Sequence, residues 1–353
     1  MYEAITYEDI LQRMLDRVPN TMDKREGSII YDALAPAAAE LQLMYIELDV
    51  ILTETFADSA SREYLILRSA ERGITPTAAT YAVLKGEFTP TTLEIPTGTR
   101  FTCGELNYSV IEKIADGQYQ MQCETIGIVG NTNFGDLIPI EYVQGLETAD
   151  LTELLIPGED EEDTEDLRTR YFSSFDTKPY GGNAKDYIEK TNAIAGVGST
   201  KVTPVWNGGG TVKLTILNSE FSKASSVLIQ TVQEAIDPTQ DGSGLGIAPI
   251  GHIVTVDTVE EIIVNVASTI TYDDGYNFSN LQSQITQVIA TYLLELRKDW
   301  ANKANLVVRI SQIETRLFAI TGILDVANTR INSSTNNLTL GKYQIPVIGG
   351  VAG

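Results

Sequence analysis

Seven apolar residues, Ile30, Leu34, Ala37, Leu41, Met44, Leu48 and Ile51, recur at alternating intervals of four and three. Such a 3.5-residue period draws them along one side of an α-helix as a heptad seam, the pattern of helices that pack lengthwise against other helices. A helix carrying it needs neighbours. They can come from a third helix of the same chain or from other chains, and an isolated helical hairpin of this size would bury too little by itself. Pro36 lies inside the run and lacks a backbone donor, so a kink or a restart is expected there.

Helical signals continue on both sides of the seam. Thr6 can cap a first helix through Asp9, with Ile10, Leu11, Met14 and Val18 on one side, before Pro19 and Asn20 stop it. Ser59 or Ser61 can cap a third helix, ended by Gly73 in a left-handed conformation. Near Lys85 the apolar period changes to two, in short runs separated by Pro and Gly turns, which predicts a small antiparallel β domain. After Gly158, helices and strands alternate. "AIAGV" at 193–197 and "AITGI" at 319–323 occupy matching helix-to-strand corners, suggesting two modules of related design. The predicted fold is a multidomain α+β protein: an N-terminal helical core-bundle segment over 1–84, an antiparallel β domain over 85–157, an α+β module over 158–249 and a C-terminal α+β module over 250–353.

The stretch "GEDEEDTEDLRTRYFSSF" begins at Gly158 and is densely acidic as far as Asp166. Thr164 can act as an N-cap, Glu165 and Asp166 suit the positive end of the helix dipole, and Asp166 stands four residues before Arg170. Leu167, Tyr171 and Phe175 form an apolar stripe. The run therefore reads as a solvated approach to a helix, with Asp166, Arg168 and Arg170 at a domain joint. Serine in place of its acids should change stability little. The Gly position and carboxylate spacing of a calcium loop are missing.

Twenty-five Lys and Arg against 48 Asp and Glu leave a net charge of −23, which repels nucleic-acid phosphates and anionic lipid. Neither is expected as a partner. No apolar run approaches the ~20 residues of a membrane span, and the N-terminus carries acids where a signal peptide carries bases. The two cysteines, Cys103 and Cys123, are too few for a disulfide scaffold or a four-thiolate zinc site, so free packed thiols are expected. His252, the only histidine, has no imidazole or thiol nearby in sequence to make a metal site or a triad. "DGSGLGIAP" at 241–249 has the glycines of a phosphate loop without its Lys and Ser/Thr, and "WNGGG" at 206–210 reads as a hairpin. These observations nominate no catalytic, cofactor-binding or metal-binding residue.

"REGSIIYDALAPAAAELQLMYIELDVILTETFADSASREYLILRSAERGITPTAAT", "GIVGNTNFGDL", "IPGEDEEDTEDLRTRYFSSF", "GGNAKDYIEKTNAIAGVGSTKVTPVWNGGGTVKLTI" and "GSGLGIAPIGHIVTV" follow one another in this order. Together they resemble the baseplate J-like family of contractile phage tails and phage-tail-like particles. The resemblance covers most of the chain, although its acidic cluster is larger than the family's usual joint and 331–353 matches no family motif. It implies a structural wedge protein of the baseplate, assembled in the bacterial cytoplasm. Two copies would join a second wedge protein through an N-terminal core bundle, with neighbouring wedges paired through the C-terminal module. A sheath initiator and the hub and spike complex complete the implied partners. A tail-associated glycosidase or a host-binding adhesin would also suit an acidic, β-containing chain, but the first should carry an acid/base constellation and the second repeats or long β stretches.

Overall fold

A computed structural model describes residue 2, residues 4–175 and residues 181–353. Residues 1–78 and 162–176 form one compact unit, and 79–161 with 177–353 form another.

In the helical unit, Thr6 and Asp9 make a reciprocal capping box at the start of the helix Tyr7–Asp16. This helix buries Ile10, Leu11 and Leu15 against Ala38, with Ile30, Tyr31, Leu34, Ala35 and Tyr45 packed around them. Those partners belong to a helix of 27 residues, Ile29–Thr55, whose first turn is capped by the Ser28 hydroxyl. The helix runs through Pro36 without the expected restart. Pro36 removes a single hydrogen bond, to the carbonyl of Asp32, and does so where both flanking turns are held against the first helix. A third helix, Arg62–Ala70, follows. Its Ser61 makes no side-chain cap; the Glu54 carboxylate instead accepts both the Ser61 N–H and its hydroxyl. Gly73 ends it at φ 74°, and the Ile74 N–H returns to the Ser69 carbonyl. The helix Thr164–Ser173 completes the unit, burying Leu167 among Ala57, Ala60 and Leu65. Its N-cap is Asp163, one residue before the expected Thr164, because one Asp163 oxygen accepts the N–H groups of both Glu165 and Asp166.

The second unit begins with a seven-stranded antiparallel sheet in which Tyr81–Thr89 pairs with Gln118–Ile126, the central strand, on one side and Thr148–Ile156 on the other. Phe88 meets Phe101 and Tyr119 edge-on, at ring-centroid separations of 5.3 and 5.4 Å, within a core that also holds both free cysteines. A three-stranded sheet follows. Thr211–Asn218 is its middle strand, antiparallel to Val197–Pro204 and parallel to Ile253–Thr258, with the helices Ala184–Asn192 and Ser226–Ile236 contributing buried side chains. The strand Ile253–Thr258 thus pairs with the middle module, although the sequence division at 250 placed it in the C-terminal one. In the last sheet Glu260–Tyr272 is central, antiparallel to Ile323–Ile331 and parallel to the terminal strand Gln344–Ala352, and it packs on the helices Phe278–Lys298 and Ile310–Phe318.

The paired corners have one geometry. At the first, Ile194 N–H bonds to Thr191, Val197 N–H bonds to Ile194, and Gly196 stands at φ 85° between them. At the second, Ile320 bonds to Leu317, Ile323 bonds to Ile320, and Gly322 stands at φ 94°. A residue with a Cβ would be strained at either glycine.

Candidate functional site

The helix Ile29–Thr55 presents three faces, because its apolar residues surround most of its circumference. At about 100° per residue, Ala38, Gln42, Tyr45 and Asp49 fall on one line. That line faces the chain itself: Ala38 is buried, Tyr45 packs on the first helix and an Asp49 oxygen accepts the Tyr2 N–H at 3.0 Å. The predicted seam lies one residue to the side of it. Ile30 and Leu34 join the in-chain cluster, whereas Ala37, Leu41, Met44, Leu48 and Ile51 are exposed, Met44 by 61% and Ile51 by 58%.

A second exposed line, Leu43, Ile46 and Val50, runs along the opposite flank. The heptad count missed it. Ile46 and Val50 also line a groove of about 380 Å³ with Tyr2, Ile5 and Tyr45. Between the two apolar lines stand Glu40, Glu47 and Glu54 at intervals of seven. Burying the six large side chains Leu43, Met44, Ile46, Leu48, Val50 and Ile51 would be worth on the order of 5–10 kcal/mol, since each is already part-covered. This is an unusual amount of apolar surface for one helix to leave in water.

The end of this helix is held by the predicted joint residues. The Arg168 guanidinium donates to the carbonyls of Ala57 and Ala60 and pairs with Glu165. Arg170 donates to the Thr75 carbonyl and closes a two-pronged pair on Glu162, at 2.8 and 2.6 Å. Asp166 gives its N–H to Asp163 in the capped first turn. Arg170 therefore meets Glu162 across the helix start.

The acids before this helix are only in part a solvated approach: Asp160, Glu161 and Asp163 are exposed, yet three carboxylates of the run bond backbone donors elsewhere. Glu159 accepts the Gly196 N–H, Asp160 accepts the Ile128 N–H, and Glu162, its side chain 11% exposed, accepts the Thr77 N–H. Each carboxylate satisfies a backbone donor on another segment, and a serine could not span the same distance. Gly158 packs closely as well: a Cβ there would stand 2.4 Å from the Gly127 carbonyl oxygen and 2.7 Å from the Ala82 nitrogen.

Two polar groups are embedded between sheets and helices elsewhere. The Tyr187 hydroxyl and His252 Nδ1 share a hydrogen bond of 2.7 Å, and burial pushes the tyrosine up to about 12. Lys201, only 8% exposed, extends from the middle module into the C-terminal one. Its ammonium donates to the carbonyls of Lys303 and Lys342 at 2.9 and 3.1 Å and lies 4.3 Å from the Trp300 ring centroid. Burial, with the nearby Lys342 charge, pushes Lys201 down to about 8. Among the described residues no helix is long and apolar enough to cross a membrane.

Residues 179–258 match the baseplate J-like central domain, and residues 264–353 match the baseplate J-like protein C-terminal domain. The phage-like element PBSX protein XkdT of Bacillus subtilis is 40% identical over 99% of this chain and 98% of its own length. The chain belongs to the baseplate J-like family. The second C-terminal match includes 331–353, where the sequence reading found no family motif. Baseplate protein gp47 of Escherichia phage Mu is 25% identical over 61% of each chain. A chain of the anti-feeding prophage baseplate, six-fold symmetrised, aligns over 98% of this chain and 91% of its own, with a TM-score of 0.42 at 9% identity.

Proposed function

We propose that this baseplate J-like protein is a wedge component of a contractile tail or tail-like particle, and that the helix Ile29–Thr55 is its assembly element. Two copies join a second wedge protein through this helix, and the C-terminal module, residues 259–353, contacts the neighbouring wedge as the ring closes around the hub and spike. The observation carrying the reading is the pair of exposed apolar lines, Met44–Leu48–Ile51 and Leu43–Ile46–Val50, on a helix whose third apolar face is occupied by its own chain. A helix apolar on three sides is stable in water chiefly as a member of a bundle. Such a bundle would join its subunits while leaving the β domain and the two α+β modules free to make other contacts.

Leu48→Asp separates folding from assembly. Leu48 is exposed in the single chain, so the charge costs the fold little, but it would cost several kcal/mol once buried against a neighbour. The variant should match the wild type in circular dichroism and melting temperature and fail to co-purify with the other wedge proteins when the particle's tail genes are co-expressed. Undiminished co-purification would refute the assembly role of this face.

A further inference from the structure

Between the two apolar lines of the assembly helix runs a row of carboxylates that bears on the identity of its neighbours. Glu40 and Glu47 are exposed and seven residues apart, so they rise from one line on the helix, with Met44, Leu48 and Ile51 to one side and Leu43, Ile46 and Val50 to the other. Glu54 continues the row and is engaged in capping Ser61. The segment 26–61 contains Glu26, Asp32, Glu40, Glu47, Asp49, Glu54 and Asp58, and not one Lys, Arg or His.

A neighbour seated on either apolar line borders this row. A parallel copy of the same helix would bring its own Glu40 and Glu47 beside them, with no cation on the helix itself to offset the repulsion. Apolar docking would also remove water from around the carboxylates and strengthen that repulsion. Charges flanking an apolar seam select which helices pair and in what combination.

We infer that the assembly helix docks an amphipathic helix of a different chain whose apolar stripe is flanked by Lys or Arg at seven-residue intervals, and that copies of this chain meet along the helix only with such a cationic helix between or beside them. This rests on the proposed bundle role and adds the partner's chemistry to it.

Two labelled peptides test it against the full-length chain: residues 29–55 as they stand, and the same peptide carrying Glu40→Lys and Glu47→Lys. Fluorescence anisotropy at about 50 mM and about 500 mM salt separates charge from apolar contact, because salt screens exposed pairs over a few ångströms at the higher value. The lysine peptide is expected to bind at least tenfold more tightly than the native one at low salt, with the gap narrowing at high salt. Binding should be lost for both with a chain carrying Leu48→Asp on one flank and Ile46→Asp and Val50→Asp on the other. Equal affinities at both salts would overturn the cationic partner and leave the bundle role standing. Tighter binding by the native peptide would make a second copy the sufficient occupant, overturning the inference alone. Absence of binding by either peptide would overturn the inference and the assembly role together.

Discussion

Replacing Lys201 by Met should make the stability of the second unit depend on pH in a way that can be worked out beforehand. The folded chain holds the Lys201 ammonium 8% exposed, with no carboxylate bonded to it and with two carbonyls and the Trp300 ring as its contacts. Its proton leaves at about 8, against 10.5 for an ordinary lysine. Below pH 8 both folded and unfolded chains carry the charge, and the fold bears its full cost. As pH rises through 8 the folded lysine releases its proton while the unfolded one keeps it, so the wild type gains stability up to about pH 10.5 and then levels off. A shift of this size corresponds to roughly 3 kcal/mol. Urea unfolding followed by tryptophan fluorescence at pH 7, 8, 9 and 10 measures it, with the wild-type minus Lys201→Met difference cancelling every other titrating group. The difference should rise by about 2.5 kcal/mol across that range, short of the full shift because pH 10 lies below 10.5. A difference independent of pH would refute the buried, carboxylate-free setting of Lys201.

Two further substitutions test the packing of Gly158 and the bonding of Glu162. Glu162→Ser should lower stability by about 2 kcal/mol in thermal or urea unfolding, since it strands the Thr77 N–H and leaves Arg170 without its two-pronged partner; a change near zero would return the run to the role of a solvated approach. Gly158→Ala should cost about 3 kcal/mol by the same measurement, because the added carbon meets the backbone of Gly127 and Ala82, which cannot give way as a side chain would.

Local chemistry made much of the fold legible. Thr6, Gly73 and Gly322 act through atoms a few residues away, and their caps and turns stand where the sequence puts them. The helix Ile29–Thr55 is legible for the same reason, but the heptad marks only one of its apolar lines, of which Ile30 and Leu34 join the in-chain cluster and Ala37, Leu41, Met44, Leu48 and Ile51 stay exposed. Apolar side chains surround it so nearly completely that periodicity selects no single side, and the line taken by the chain itself contains Gln42 and Asp49, which an apolar count passes over. Besides Glu165 and Glu162, Arg168 and Arg170 bond the carbonyls of Ala57, Ala60 and Thr75, groups every residue possesses and no pattern can mark. Lys201 did leave a trace. It follows Ser199 and Thr200 in a fully buried stretch of its strand, where a lysine is out of place, and only the tertiary structure supplies the carbonyls that hold it. The strand Ile253–Thr258 was placed in the wrong module because its pairing with Thr211–Asn218 is made across more than thirty residues of intervening chain.

The central claim, that the helix Ile29–Thr55 assembles this protein with other chains, is tested most directly by a cryo-EM map of the intact particle resolving side chains around that helix. The account predicts helices of other chains against Met44, Leu48 and Ile51 on one flank and against Leu43, Ile46 and Val50 on the other. A map in which both flanks face solvent, or are covered only by this chain's own first and third helices, would contradict it.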